Sequence, residues 1–76
     1  MKRDILRSAH YRYNFDRDIF YNPLAKKAFS LEFVDDAGED LLTRCIDETT
    51  NGNGWKFYFH AQPSEAVRHE LESALR

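Results

Sequence analysis

The sequence has little cysteine and no long apolar run, and these two absences exclude several classes of protein. Cys45 is the only cysteine among the 76 residues, so no internal disulfide can form. Small secreted domains generally depend on disulfides, and we therefore expect a protein of the reducing cytoplasm. No uncharged run approaches the roughly 18 residues that a membrane-spanning helix needs. Asp4 and Arg7 interrupt the apolar stretch that a secretory signal peptide would require.

The sequence also lacks the spacings that are typical of metal, nucleophile and phosphate sites. Structural zinc ligands come in close pairs, and neither Cys45 nor any of the three histidines forms one. Cys45 lies on the apolar side of a predicted helix, where a thiol is ordinarily a buried apolar group. The glycines at 52 and 54 precede a predicted strand, whereas a phosphate-binding glycine loop follows a strand and opens a helix. We therefore expect no metal, no cofactor and no enzymatic activity.

Charge is plentiful but unevenly divided along the chain. Residues 1–27 contain seven Lys or Arg and three Asp, which gives a net charge of +4. Residues 28–76 contain four bases and ten acids, which gives a net charge of −6 and a total of −2. Opposite charges of this kind steer partners, or two copies of one chain, towards each other.

Alternation of apolar and polar residues predicts three strands. The first runs from Tyr11 to Tyr21, with a bend or bulge near residues 16–18 where the alternation breaks. Asn22-Pro23 predicts a hairpin turn over residues 22–27, and the return strand is predicted over residues 28–34. A third strand is predicted over residues 55–60, because three aromatic residues alternate with polar ones there.

Apolar residues at helical spacing predict two helices and allow a third. The first helix is capped by Asp35 or Asp36 and ends at the turn-forming residues 51–54. The second opens around Pro63, with Ser64 as an alternative cap, and its apolar stripe includes Leu71. Residues 1–10 form either a short helix or a flexible basic arm, because so few residues make a marginal helix without packing.

These elements predict a single α+β domain over residues 1–76, with the order (α)ββαβα. We expect a small two-layer sandwich in which a three-stranded sheet, a hairpin plus a crossover strand, is covered on one face by two helices. The aromatic rows of the three strands suit the covered face. The other face would remain open and display Arg12, Asn14, Ser30, Glu32, Lys56, Tyr58 and His60.

The function that the sequence favours is that of a small binding module that acts by non-covalent protein–protein interaction. Self-association through the edge strand Tyr11–Tyr21 is one form of this hypothesis. The alternative is a nucleic-acid-associated accessory protein that uses its basic N-terminal stretch. A total charge of −2 weighs against that alternative, and no membrane partner is expected. The candidate binding residues are Arg7, Arg12, Asn14, Lys56, Tyr58 and His60.

Overall fold

A four-stranded mixed sheet and four helices make up the fold in a computed structural model that describes residues 1–49 and 54–75. The α+β class is confirmed, whereas the three-stranded sheet and the order (α)ββαβα are wrong. Of the turn predicted at residues 51–54, residues 51–53 lie outside the described residues. In chain order the elements are α1 (Lys2–Ser8), β1 (Arg12–Asn14), β2 (Ile19–Asn22), β3 (Lys27–Ser30), α2 (Leu31–Asp36), α3 (Glu39–Asp47), β4 (Lys56–Tyr58) and α4 (Glu65–Ala74).

The strands lie side by side in chain order, β1-β2-β3-β4. β1 and β2 pair antiparallel, as do β2 and β3, so the first three strands form a meander. β4 joins β3 in parallel, because α2 and α3 carry the chain back across the sheet between them. Among the described helices, none is long and apolar enough to cross a membrane.

The predicted long strand Tyr11–Tyr21 is two strands joined by a turn over residues 15–18. The Oδ1 atom of Asn14 accepts a hydrogen bond from the backbone N–H of Arg17 at 3.1 Å. Asp18 adopts a positive φ of 52°, which a short polar residue tolerates. The chain therefore reverses where a bend or bulge was predicted, because an asparagine side chain that bonds nearby backbone favours a turn over a continuing strand.

The turn predicted after Asn22 is confirmed, and the Asn22 side chain organises it. Its Oδ1 atom accepts hydrogen bonds from the N–H groups of Leu24 and Ala25, at 3.0 and 3.2 Å. Its Nδ2 group donates to the carbonyl oxygen of Ala9 at 3.2 Å. One buried side chain therefore fixes this turn and also the connection between α1 and β1.

The predicted return strand over residues 28–34 is half strand and half helix. β3 ends at Ser30, whose Oγ atom accepts a hydrogen bond from the N–H of Phe33 at 3.1 Å and so caps α2. The apolar alternation of Phe29, Leu31 and Phe33 is therefore misleading. Leu31 and Phe33 reach the core from a helix, and the local cap decides the backbone conformation.

The remaining helix predictions are partly confirmed. The N-terminal residues form α1, and the Oγ atom of Ser64 caps α4 by accepting a hydrogen bond from the N–H of Val67 at 3.3 Å. α3 begins after Gly38 and has no side-chain cap, so neither Asp35 nor Asp36 caps it.

The sheet is covered on both faces, which contradicts the predicted two-layer sandwich. On one face, here called the α1–α3 face, residues of the strands and of α1, α2 and α3 form the larger core. Its buried members are Leu6, Tyr11, Phe20, Phe29, Val34, Leu42 and Tyr58. On the other, the α4 face, the buried members are Ile19, Ala28, Phe57, Leu71 and Leu75. The protein has three layers, and both aromatic sides of β4 are covered.

The two edges of the sheet differ in how their backbone groups are used. Lys56 N–H donates to Lys26 C=O at 2.9 Å, and the alternation of hydrogen bonds across the sheet follows from this bond. Because of this alternation, the carbonyl groups of residues 55 and 57 on β4 point away from the sheet. Arg68 Nη2 donates to the first at 3.0 Å, and Gln62 Nε2 donates to the second at 3.3 Å. The β4 edge is thus closed by side chains of the same chain.

The β1 edge has no such cover in the described part of the chain. The same alternation directs Arg12 and Asn14 towards β2, where they face Tyr21 and Ile19. The backbone N–H and C=O of Tyr13 therefore point away from the sheet. These groups provide a template on which another strand can pair.

Candidate functional site

The six predicted binding residues do not form one surface. Arg12 and Asn14 lie on β1, at one edge of the sheet, and their side chains are on the α4 face. Lys56 and Tyr58 lie on β4, at the opposite edge, with their side chains on the α1–α3 face. Two strands separate the pairs, which is roughly 14 Å at the usual strand spacing. The predicted open face does not exist, because both faces carry helices.

Two of the predicted residues are occupied by contacts within the chain. Asn14 holds the turn described above. The Nε2 atom of His60 lies 2.7 Å from Oδ2 of Asp36, and its ring centroid lies 6.0 Å from that of Phe33. His60 therefore links the segment after β4 to α2.

Lys56 and Tyr58 belong to a polar cluster centred on Glu48. The Tyr58 hydroxyl donates to Oε1 of Glu48 at 2.8 Å, and the Lys56 ammonium group binds the same carboxylate. These two hydrogen bonds lower the pKa of Glu48, and the bond from Lys56 has the larger effect. Burial, and then the bond to Glu48, raise the pKa of Tyr58, which is only 9% exposed and stacks on Phe29. Tyr58 is therefore a core residue and cannot contact a partner.

Lys27 is the second cation of this cluster, and the sequence does not mark it. The residue is 3% exposed, and its ammonium group donates to the carbonyl oxygens of Cys45, Ile46 and Glu48. It thereby satisfies carbonyl groups at the C-terminus of α3 and places a positive charge there, where the helix dipole favours one. Burial lowers the pKa of Lys27. The hydrogen bonds of this cluster join β3, β4 and the end of α3, and this favours a structural role.

The described residues offer no metal centre and no activated thiol. No group of three or more His, Cys, Asp or Glu in residues 1–49 and 54–75 could hold a metal ion. Cys45 is partly buried in the larger core, and burial raises the pKa of its thiol. A raised pKa favours the thiol over the nucleophilic thiolate.

Contacts within the chain use several of the basic residues of the N-terminal stretch. The Lys2 ammonium group donates to the carbonyl oxygens of Asp35 and Ala37, at 2.6 and 2.9 Å, and so ties α1 to the end of α2. Arg17 pairs with Glu70 of α4 at 2.7 Å. Within the N-terminal stretch, whose residues the structure describes throughout, the side chains of three exposed arginines have no hydrogen bond or ion pair. They are Arg3, Arg7 and Arg12.

Arg3 and Arg7 flank a small cavity on the α1–α3 face. They lie four residues apart on α1, so their side chains project from the same side of the helix. The cavity has a volume of about 150 Å³, and its other lining residues are Tyr11, Tyr13 and Phe20. We call these five residues the arginine pocket. Sequence analysis selected Arg7 but missed Arg3, although the spacing of four residues was a visible signal.

The floor of the arginine pocket is fixed by contacts of its aromatic rings. Tyr11 and Phe20 are 8% and 7% exposed, and the ring centroids of Tyr13 and Phe20 are 4.7 Å apart. The Tyr13 hydroxyl donates to Oδ1 of Asp18 at 2.6 Å, and this bond is the main cause that raises the pKa of Tyr13. Asp35 also acts on Tyr13 electrostatically. The positive charges of the pocket therefore lie on its α1 side, where the two arginines are.

A larger groove of about 510 Å³ lies between α1 and α3. Its lining includes Asp4 and Asp47 together with apolar residues such as Ile5 and Ile46. Unlike the arginine pocket, this groove has no aromatic residue in its lining.

In comparisons with protein-family models, with curated proteins and with solved structures, the chain matches none.

Proposed function

We propose that this protein is a small binding module that recognises a protein partner non-covalently through the arginine pocket and the adjoining strand β1. The observation that carries the proposal is the pair Arg3 and Arg7, which have no anionic partner in the described part of the chain and stand beside a cavity with an aromatic floor. The chemistry that fits them is a carboxylate on the partner.

Arginine binds a carboxylate through two parallel N–H···O bonds, and this fixes the orientation of the bound group. A cavity of about 150 Å³ has room for the end of an acidic side chain, since it corresponds to roughly five water molecules. The apolar floor excludes water from one side of the ion pair, which strengthens the interaction. Function here would consist of recognition without catalysis.

A protein partner suits this surface better than a nucleic acid does. Proteins that bind single strands stack bases on exposed aromatic rings. Tyr11 and Phe20 are buried beneath the arginines and cannot take that role, and the exposed ring of Phe15 offers a single stacking position. The ten acids after residue 27 would also repel a polyphosphate chain. We propose the cytoplasm as the compartment, because Cys45 has no second cysteine to pair with and its raised pKa keeps it a thiol.

Titration of the ¹⁵N-labelled protein with a blocked tetraglutamate peptide tests this function, with tetralysine and oligothymidylate as comparison ligands. We expect tetraglutamate to shift the amide signals of residues 3–13. The double variant Arg3→Glu/Arg7→Glu should weaken binding at least about tenfold, which corresponds to about 1.4 kcal/mol. Arg44→Glu is the matched control, since Arg44 is exposed on α3 outside the arginine pocket, and it should bind as the wild type does.

Two outcomes would overturn the proposal. If the wild type gives no shifts with tetraglutamate at millimolar concentration and low salt, the arginine pocket is not a carboxylate site. If oligothymidylate binds at least about tenfold more tightly than tetraglutamate at equal salt, the nucleic-acid alternative replaces the protein-binding function.

A further inference from the structure

We propose that the partner binds as an additional antiparallel strand along β1, and that its segment has the pattern apolar, any residue, acidic, acidic. The inference rests on the proposed function, to which it adds the backbone conformation and the sequence of the ligand. Its basis is the coincidence of an uncovered strand edge with cations on both faces of the sheet beside it.

The contrast between the two sheet edges is the first step. On β4, the outward carbonyl groups of Trp55 and Phe57 accept hydrogen bonds from Arg68 and Gln62. On β1, the outward N–H and C=O of Tyr13 have no such cover in the described residues. An extended segment can therefore pair with β1 without displacing any contact, which is the requirement for strand addition.

The register of β1 determines which side chains of the added strand meet which residues. A residue that exchanges both hydrogen bonds with Tyr13 has its side chain on the same face as Tyr13, which is the face of the arginine pocket. The next residue of an antiparallel segment lies opposite Arg12 and has its side chain on the α4 face. Both positions therefore favour an acidic residue, and the two acids are consecutive.

Phe15 provides the apolar part of the pattern. Its ring is 83% exposed and packs edge-on against Tyr13, with 4.8 Å between the ring centroids. Phe15 begins the turn after β1, so on an antiparallel segment that runs past the end of β1 the residue nearest its ring would come two positions before the one that faces Tyr13. An apolar side chain there would cover an aromatic ring that is otherwise in water.

Charge makes a second copy of this chain a poor occupant of the same edge. Antiparallel pairing of two β1 strands about a two-fold axis centred on Tyr13 would bring both arginine pockets to the same side of the joined sheet. Four guanidinium groups, two from each copy, would then lie near one another without a counterion. Like charges this close disfavour the pairing, so the occupant is an acidic segment of a different protein.

A blocked hexapeptide, Thr-Val-Thr-Glu-Glu-Thr, tests the inference through methylation of single backbone nitrogens. The nitrogen of its first Glu would bond to Tyr13, so methylation there should weaken binding at least about tenfold. The nitrogen of its second Glu would point away from β1, so methylation there should change affinity less than about twofold. The charge of the peptide is the same in both cases. Hydrogen exchange of the Tyr13 amide should slow when the unmodified peptide is bound.

A charge exchange at Arg12 tests the register independently. Arg12→Glu should weaken binding of the hexapeptide, and replacement of the second Glu of the peptide by Lys should restore it. Arg44→Glu is again the control and should leave both affinities unchanged.

The outcomes separate this inference from the proposed function. If both methylated peptides bind as tightly as the unmodified one, strand addition is wrong while carboxylate recognition stands. The same holds if tetraglutamate binds and the hexapeptide does not. If neither acidic peptide binds, both proposals are wrong.

Discussion

At the residue scale, two buried tyrosines have opposite hydrogen-bonding situations. The Tyr58 hydroxyl donates to Glu48, whereas the Tyr11 hydroxyl is buried without a partner in the described part of the chain. A buried polar group that makes no hydrogen bond loses its hydration without compensation. The same chemical change at the two positions should therefore have opposite effects on stability.

We expect Tyr11→Phe to raise the free energy of unfolding by about 1 kcal/mol, because it removes an unpaired buried hydroxyl. Tyr58→Phe should lower it by about 1–2 kcal/mol, because it removes the bond to a charged carboxylate. Urea unfolding of both variants measures the difference. Equal effects of the two changes would show that a group outside the described contacts binds the Tyr11 hydroxyl.

The same two tyrosines predict a loss of stability at alkaline pH. Burial raises the pKa of Tyr11 from its ordinary value of 10.0 to about 12, and the pKa of Tyr58 is also raised. A pKa that is higher in the folded state favours folding below the unfolded value, and this contribution is lost as the pH rises through the folded value. We expect stability to fall from about pH 10 to 12.

Urea unfolding as a function of pH, for the wild type and for Tyr11→Phe/Tyr58→Phe, isolates this contribution. The double variant should show a shallower decline between pH 10 and 12. Lys27 has a lowered pKa and contributes in the opposite direction, but it does so in both proteins and cancels in the comparison. Parallel curves would contradict the prediction.

Lys27 should be required for stability although it is charged and buried. Lys27→Met keeps the apolar stem but leaves three carbonyl groups at the end of α3 without their donor. We expect a loss of about 1–3 kcal/mol in urea unfolding. Arg44→Met, an exposed change on the same helix, should alter stability by less than about 0.5 kcal/mol. A variant at position 27 as stable as the wild type would show that water replaces the ammonium group.

At the scale of elements, local signals predicted structure better than alternation did. Ser64 at the start of α4 and Asn22 at the hairpin turn were identified, because each acts on backbone groups a few residues away. The alternation of Phe29, Leu31 and Phe33 was misread, since residues on adjoining strand and helix can reach one core. The two covered faces were also missed, because both sides of β4 are aromatic and only tertiary packing shows which helices cover them.

The candidate site was predictable to a smaller extent, since pairing of charges is a tertiary property. Arg7 and Arg12, which sequence analysis selected as candidate binding residues, are part of the proposed binding surface. Lys56 and His60 are instead paired with Glu48 and Asp36, which are distant in sequence or in another element. Composition gave the number of cations near the N-terminus but could not show which of them are already paired.

Helix α4 should be an essential layer, because among the described helices it is the one that covers its face of the sheet. Leu71 is 3% exposed and contacts the core of that face, whereas Val67 on the same helix is 43% exposed. We expect Leu71→Ala to cost about 2–4 kcal/mol and Val67→Ala less than about 1 kcal/mol. Urea unfolding followed by the fluorescence of Trp55, which packs against this core, reports both. Similar losses would mean that α4 packs differently.

At the scale of the whole molecule, contacts within the chain reduce the division of charge seen along the sequence. Arg17 of the basic stretch pairs with Glu70 of the acidic stretch, and Lys27 is buried in the core. Neither residue therefore adds unpaired positive charge to the surface. Among the described arginines without a hydrogen bond or ion pair, Arg3, Arg7 and Arg12 lie on α1 and β1, and Arg44 lies apart from them on α3. The first three form a small cationic surface on a protein of net charge −2, and the proposed acidic partner rests on this contrast.

Sedimentation equilibrium should therefore give a monomer of 9.0 kDa at low salt and high micromolar concentration. The same measurement in sulfate, which can neutralise the arginines, tests whether their charge opposes pairing of two β1 strands. If it does, sulfate should increase the fraction of dimer. A dimer at low salt that Arg3→Glu/Arg7→Glu abolishes would contradict the charge argument and favour self-association.

The closed edge of β4 has a consequence for the behaviour of the protein over long times. Residues 55–60, Trp-Lys-Phe-Tyr-Phe-His, combine four aromatic side chains with a single lysine, a composition that stacks readily into cross-β fibrils. Inside the fold, the bonds from Gln62 and Arg68 occupy the backbone on which such stacking would start. We therefore expect these two polar side chains to oppose fibril formation, and their loss should shorten the lag time of fibril growth.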